Sequence, residues 1–380
     1  MAAFKARHCL SSISRRLWGR ASSGSFPQRD SNPPSASALA DAGRFYREFS
    51  SGTAQELPDD FARYQHHKTP KFSGLPTLLK APLADTLEGL DIALVGVPFD
   101  GGASHPGTRF GPREIRNKSS MLRKIHGSTG VAPFSLCQVA DVGDVVIKRP
   151  WHGVESAQHE IYDYFRQLCS RGIIPITAGG DHSISYPILR AVAEAAGGPV
   201  GLVHLDAHHD TVDLQESEES TGSKYWNGTP FSCALADGLI DPKRTIQIGI
   251  RGPMSPGKML SEDAGMRVVD MEEFYDLGPK KVAHEAREIV GDGPTYITFD
   301  VDALDPAYAI GTGSPEDGGL TTLEAQIILR GLRGLHFVGA DFVCTSPPWD
   351  PTGNTPRVAA NMMFEQLCLI AESIHRRRKQ

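Results

Sequence analysis

Six short apolar runs constrain this chain more than any other feature: "DIALVGVPF" (91–99), "GIIPITAGG" (172–180), "PVGLVHLDA" (199–207), "RTIQIGIRG" (244–252), "PTYITFD" (294–300) and "LHFVGADFV" (335–343). Each stops at turn residues, which is how a buried strand reads. Helical patterns lie between several of them, such as "ESAQHEIYDYFRQLCSR" (155–171) and "TLEAQIILRGLRG" (322–334). Fully apolar strands alternating with helices predict an α/β fold whose central, mainly parallel sheet is covered on both faces. No internal repeat and no composition boundary follows residue 75, so one domain is the simplest division.

Acids and histidines gather where three of these runs stop. Asp181 and His182 follow a strand at 173–177; Asp206, His208 and Asp210 follow one at 200–205; Asp300 and Asp302 follow one at 295–299. Open parallel sheets form their sites at the carboxyl ends of strands, so the three clusters can meet at one edge. In an extended segment alternate residues share a side, which would aim Asp206, His208 and Asp210 into one pocket, and Asp300 with Asp302 likewise. Two imidazoles and four carboxylates are too anionic for one divalent ion, whereas two ions balance the four negative charges. Oxygen-rich ligation with two imidazoles suits Mn²⁺, and zinc, iron, cobalt or nickel share those ligand types. Such ions make water acidic enough to ionise near neutral pH. Asp181 has a second reading as a helix cap. His204 reads as a packed core residue, and His209 points away from its neighbours as a supporting or structural residue.

The first 29 residues carry Lys5, Arg7, Arg15, Arg16, Arg20 and Arg29, many serines and no acid, with Ala3, Ala6, Leu10, Ile13 and Leu17 on one helical face. That pattern predicts an organelle transit peptide over 1–30 and hence the mitochondrial matrix, a plastid being the alternative. Residues 31–70 continue Ser/Pro/Ala-rich as a linker or N-terminal arm, and the domain occupies 71–375. "HRRRKQ" at the end reads as a solvated basic tail. The six cysteines include no CxxC pair, against a disulfide framework or zinc knuckle. A formal net charge of −6 gives no nucleic-acid surface, and no apolar run is long enough to cross a membrane.

"GGDHS", "DAHHD" and "FDVDALDP", in this order, resemble the motifs of the ureohydrolases: arginase, agmatinase and the guanidino-acid hydrolases. The likeness covers about residues 70–372. "GVPFDGGASHPGTRFGPREIR", "VADVGDV", "NGTPF", "QIGIRG", "LDPAYAIGTGSPEDGGLT" and "SPPWDPTGNT" resemble the agmatinase branch. The resemblance implies a three-layer αβα fold and a dimanganese cluster that hydrolyses a guanidino group to urea and an amine. It assigns one ion to His182, Asp206, Asp210 and Asp300, and the other to His208, Asp206, Asp300 and Asp302, with Asp206 and Asp300 bridging. It implies a homo-oligomer, a trimer or hexamer. A guanidinium carbon is a poor electrophile and needs a strong nucleophile held in line. Asp210 and His208 are then the catalytic candidates, Asp210 taking a proton from the nucleophile and passing it to the departing amine.

Two positions depart from the family pattern. Asn227 stands where the family has a histidine in "HGTPF", and Cys344 where it has a glutamate before "SPP". Asn keeps hydrogen bonding without shuttling a proton. A thiolate at Cys344 would be opposed by the anionic cluster beside it. The segment 211–226 is also longer than the pattern, with Glu216, Glu218 and Glu219 reading as a solvated loop, and "GGASHPGTR" is one residue shorter. These departures point to a hydrolase of altered specificity, for a small guanidino compound such as a guanidino acid or free guanidine, with Asn227, Cys344, Glu316 and Trp226 shaping the pocket. The alternatives are a catalytically impaired partner or regulatory subunit and a single-zinc deacetylase. Against the first stands the retention of six ligands, since a buried anionic cluster is costly to keep without use.

Overall fold

The protein's structure, a computed structural model, describes residues 71, 73–148, 153–252 and 256–379. The transit peptide and arm expected over 1–30 and 31–70 lie outside the described residues. The six apolar runs form β1 (Ile92–Gly96), β3 (Ile174–Ala178), β4 (Val200–Leu205), β5 (Ile240–Ile250), β7 (Thr295–Asp300) and β8 (Phe337–Val343). Two further strands, β2 (Val139–Asp144) and β6 (Arg267–Asp270), complete one eight-stranded sheet ordered β2-β1-β3-β8-β7-β4-β5-β6. Every pairing is parallel. The two unexpected strands are the edges, and their partly exposed residues explain why neither reads as an apolar run. Central β4 and β7 are buried along their whole length.

Among the described residues ten helices lie between strands and an eleventh follows β8: α1 (Gly111–Ser119), α2 (Pro133–Leu136), α3 (Val154–Cys169), α4 (Ser185–Ala196), α5 (Leu214–Thr221), α6 (Pro230–Ala236), α7 (Pro256–Ala264), α8 (Met271–Leu277), α9 (Pro279–Val290), α10 (Thr322–Gly331) and α11 (Asn354–Arg377). The layer of α3, α4 and α6 packs on one face of the sheet and that of α1, α9, α10 and α11 on the other, the three-layer αβα arrangement expected. α10 starts where Thr321 and Glu324 form a reciprocal capping box.

Two loop readings are corrected. The acidic run in 211–226 is helical: Asp213 accepts from the backbone N–H of Gln215 and Glu216, which starts α5, and Gly222 in a left-handed conformation ends it. The basic C-terminus is not merely solvated. α11 runs through Arg377, Arg376 donates to Glu372 at 3.0 Å, and Arg378 reaches across to Asp91.

Register positions the site. Leu205 pairs with Phe299, and Phe299 with Phe342, so β4, β7 and β8 end level. Ala178 of β3 also pairs with Phe342. The residues after four neighbouring strands therefore emerge side by side.

Candidate metal centre

At the end of β3 the chain turns through His182–Ile184, and Asp181 caps that turn by accepting from the N–H of Ser183 at 2.9 Å and of Gly102 at 2.8 Å. Asp181 thus has the capping role. The turn delivers His182 to the cluster. Its Nδ1 lies 3.1 Å from Asp206, 2.7 Å from Asp210 and 3.3 Å from Asp300. His208 Nδ1 lies 3.4 Å from Asp206 and 3.3 Å from Asp302. Asp206 faces the two imidazoles with different oxygens, Oδ2 towards His182 and Oδ1 towards His208.

The residues converge, but not by strand alternation. β4 ends at Leu205, and Asp206 Oδ1 then accepts from the N–H of His208 at 2.6 Å, a local turn. Asp210 has φ of 53°, in the left-handed region. Asp302 sits in the short Val301–Ala303 turn, whose first N–H bonds are organised by Asp300 Oδ1 accepting from Asp302 N at 3.0 Å. Short Asp side chains that bond nearby backbone N–H groups bend both segments out of the extended form.

His204 is more than core packing. Gln247 Nε2 donates to the His209 carbonyl at 2.7 Å and lies 3.0 Å from His204 Nδ1. That fixes the amide nitrogen towards His204 Nδ1, so the proton sits on Nε2, 2.8 Å from Asp206 Oδ2. Its position two residues before Asp206, on the same side of a strand, is the signal that could have found it. His209 is buried, and its carbonyl holds Gln247 in place.

His182 is oriented in the same way. Thr298 Oγ1 donates to Asp341 Oδ1 at 2.5 Å, so it accepts from His182 Nε2–H at 2.9 Å. The His182 Nδ1 lone pair then faces three carboxylate oxygens and has no hydrogen-bond partner. That arrangement is repulsive unless a cation stands among them. Protons on both imidazoles would offset only half of the four carboxylate charges. The donor set therefore fits divalent metal. Burial, then Asp302 and Asp206, push the Asp300 carboxyl up to about 7. Burial and Asp206 push Asp302 up to about 6, and the same causes raise Asp210. Asp206 is held low against its own burial by three imidazoles. His208 is raised by Asp302 and Asp206 although burial works the other way.

Beside the carboxylates lies a cavity of about 20 Å³, room for roughly one water. Asp302, Asn227, Cys344, Thr108, Thr312 and His105 face it. Asn227 Oδ1, Thr108 Oγ1 and Thr312 Oγ1 are buried there without a partner. The threonines were missed because they sit in irregular loops with no periodicity to mark them. Trp226 and Glu316 stand outside the lining. The Trp226 ring lies over Gly228, where an added Cβ would come within 2.6 Å of it, and its backbone crowds Gly102. Glu316 Oε1 is 3.6 Å from His208 Nε2. Cys344 follows β8 with φ of 63°, and burial together with Asp300 and Asp302 raises its thiol well above the ordinary value, so it is protonated.

The family model described as Arginase family matches residues 90–368. The chain is 47% identical over 310 residues to a guanidinopropionase of Pseudomonas aeruginosa, covering 81% of this chain and 95% of that protein. It is 47% identical over 301 residues to a mitochondrial agmatinase of Gallus gallus, covering 78% and 86%. Among solved structures, the proclavaminate amidinohydrolase of Streptomyces clavuligerus superposes with a TM-score of 0.76 at 36% identity, covering 80% of this chain and 100% of that one.

Proposed function

The chain belongs to the arginase family, amidinohydrolases that act on guanidino compounds, and on that premise we propose that it cleaves a short guanidino acid to urea and an ω-amino acid. The observation that carries the reading is the small cavity beside the carboxylates, with three unpartnered oxygens on Asn227, Thr108 and Thr312. A guanidinium is flat, cationic and rich in N–H donors, so it matches acceptors that nothing else satisfies. The likeness to a guanidinopropionase favours a short tail. The exposed His105, together with the likeness to a guanidinopropionase, favours a tail that ends in a carboxylate.

Two Mn²⁺ ions would be held by His182, Asp206, Asp210 and Asp300, and by His208, Asp206, Asp300 and Asp302, with Ni²⁺ compatible with the same ligands. When bound, the metal pair makes water ionisable near neutral pH. Asp210 takes the water's proton at its carboxylate and returns it to the leaving nitrogen. Thr298 and Gln247 keep the lone pair of His182 and the N–H of His204 on the cluster side. Asn227 and the two threonines orient the guanidinium. Cys344, neutral as a thiol, removes an anion from the pocket wall and leaves orientation to those acceptors. Glu316 and Trp226 act at the margin, on His208 and on the Asn227 segment.

The leader over 1–30 would take the protein to the mitochondrial matrix, a reading supported by the likeness to the mitochondrial agmatinase of Gallus gallus. Residues 31–70 would be an arm on a ureohydrolase domain spanning 71–375, assembled as a trimer or hexamer. Urea release by Mn²⁺-loaded protein across guanidinopropanoate, guanidinobutanoate, agmatine, arginine and guanidine tests the substrate. The highest kcat/KM should fall on a guanidino acid. Preference for agmatine or free guanidine would overturn the carboxylate tail, and no urea from any of them would overturn the reaction.

A further inference from the structure

A second cavity, of about 140 Å³, opens between α3 and α4, lined by none of the residues that line the first. Glu155, Gln158 and Tyr162 line it from one face of α3, and Tyr186 and Arg190 from α4. Tyr225 closes it, stacked on Tyr186 with ring centroids 5.6 Å apart. The charges stand at opposite ends. Seven residues of helix separate Glu155 from Tyr162, about 10 Å at 1.5 Å per residue. The Arg190 guanidinium carbon lies over the Tyr162 ring, 4.4 Å from its centroid, and makes no ion pair among the described residues; Tyr162 Oη itself donates to Glu194 at 2.6 Å. Glu155 accepts from Ser223 Oγ at 2.6 Å and keeps its second oxygen available. His159, exposed on the same face, adds a second nitrogen donor.

A cation-holding end, aromatic walls and an anion-holding end about 10 Å apart along the helix fit an extended zwitterion. We infer that this cavity binds an ω-amino or ω-guanidino carboxylate, carboxylate at Arg190 and cation at Glu155, and that its occupancy regulates the hydrolytic site. The choice of ligand rests on the guanidino-acid reading above, whose product and substrate are both such zwitterions.

The coupling is local. Gln158 Nε2 donates at 3.1 Å to the carbonyl of Ser183, the residue after His182. The Gln158 side chain is buried, and its Oε1 has no partner. Tyr225 stands two residues before Asn227, whose side chain faces the catalytic cavity. A ligand pressing on Tyr225 and Gln158 therefore acts on both the guanidinium acceptor and the turn that carries His182.

Calorimetric titration of the metal-loaded, full-length protein with γ-aminobutyrate tests the site, with butanoate and butylamine as half-ligands. Saturable binding is expected, tighter than for either half. Arg190→Glu should weaken it about tenfold or more, as loss and reversal of a charge-assisted contact does, and Glu155→Gln should weaken it less. Both residues lie outside the catalytic machinery, so basal kcat/KM should hold. γ-Aminobutyrate should also inhibit wild type partially, to a plateau, and lose that effect in Arg190→Glu. If guanidinobutanoate is the occupant in use, its rate curve should depart from a hyperbola in wild type and become hyperbolic in Arg190→Glu. No binding, equal affinity in the two variants, or half-ligands that bind as well as the zwitterion would overturn the inference. Binding is read without turnover, so the two readings fail separately. Zwitterion binding without urea release sinks the substrate reading alone, and urea release without such binding sinks the cavity alone.

Discussion

Buried carboxylates are treated in two opposite ways in this molecule. Away from the site, each is answered by its own chain. Asp141 receives Arg116 through two bonds, Nε at 2.9 Å and Nη2 at 3.0 Å, and the N–H of Leu78 at 2.8 Å. Glu365 receives Arg330 and His126. At the carboxyl ends of β4 and β7, the partners of Asp206, Asp210, Asp300 and Asp302 among the described residues are imidazoles, backbone N–H groups and one thiol. Away from the cluster the fold supplies its buried anions with donors of its own, a guanidinium for Asp141 and Glu365 and three hydroxyls for Asp341. Where it leaves four anions around three imidazoles, the missing charge has to come from outside.

The contrast can be broken by mutation. Asp300→Asn should remove metal and lower kcat/KM by more than ~10²-fold, since even outer partners of a ligand cost up to that. The metal-free protein should nevertheless melt higher than metal-free wild type, because one of the mutually repelling carboxylates is gone. Metal content per chain and a thermal scan check both. Asp141→Asn should do the reverse. It leaves Arg116 with the Asp144 carboxylate and should cost about 1–3 kcal/mol in denaturant unfolding, as loss of a charged hydrogen-bond partner does, while kcat per folded molecule holds. A loss of metal there would erase the distinction. Thr298→Val keeps shape but frees the His182 tautomer, and should weaken metal binding about 10–100-fold in competition with a chelator.

A smaller effect tests a neutral buried group against these charged ones. His336 is lowered to about 4 from its ordinary 6.5 by burial and then by Arg377 and Arg244. The unfolded chain therefore binds the proton first as pH falls. The contribution is complete above about pH 6.5 and is lost progressively down to about pH 4. His336→Gln should flatten that slope in denaturant unfolding, by about 1 kcal/mol once solvent screening at a half-buried site is allowed for.

The interior of the sheet was legible because β4 and β7 are covered on both faces and leave unbroken apolar runs. The edges were not, since "RVVD" in β6 has one side open and four residues to show it. The ligand clusters were legible as residue types at strand ends. Their geometry was not, because Asp206 and Asp300 bend the chain by bonding backbone N–H groups that the alternation argument ignores. His204 was passed over as core although strand spacing put it on the face of Asp206. Thr108 and Thr312 come from distant loops, and only tertiary packing brings their hydroxyls to one cavity.

The place of β8 sets a timetable for synthesis. It is the last strand made, yet it lies in the middle of the sheet, between β3 and β7. Until residues 337–343 emerge, β2-β1-β3 and β7-β4-β5-β6 are two half-sheets, each with an open inner edge. His182 belongs to the first half and the four aspartates to the second, so the centre cannot exist on a growing chain. Its assembly waits for the final strand, and until then two unpaired edges are exposed to wrong partners.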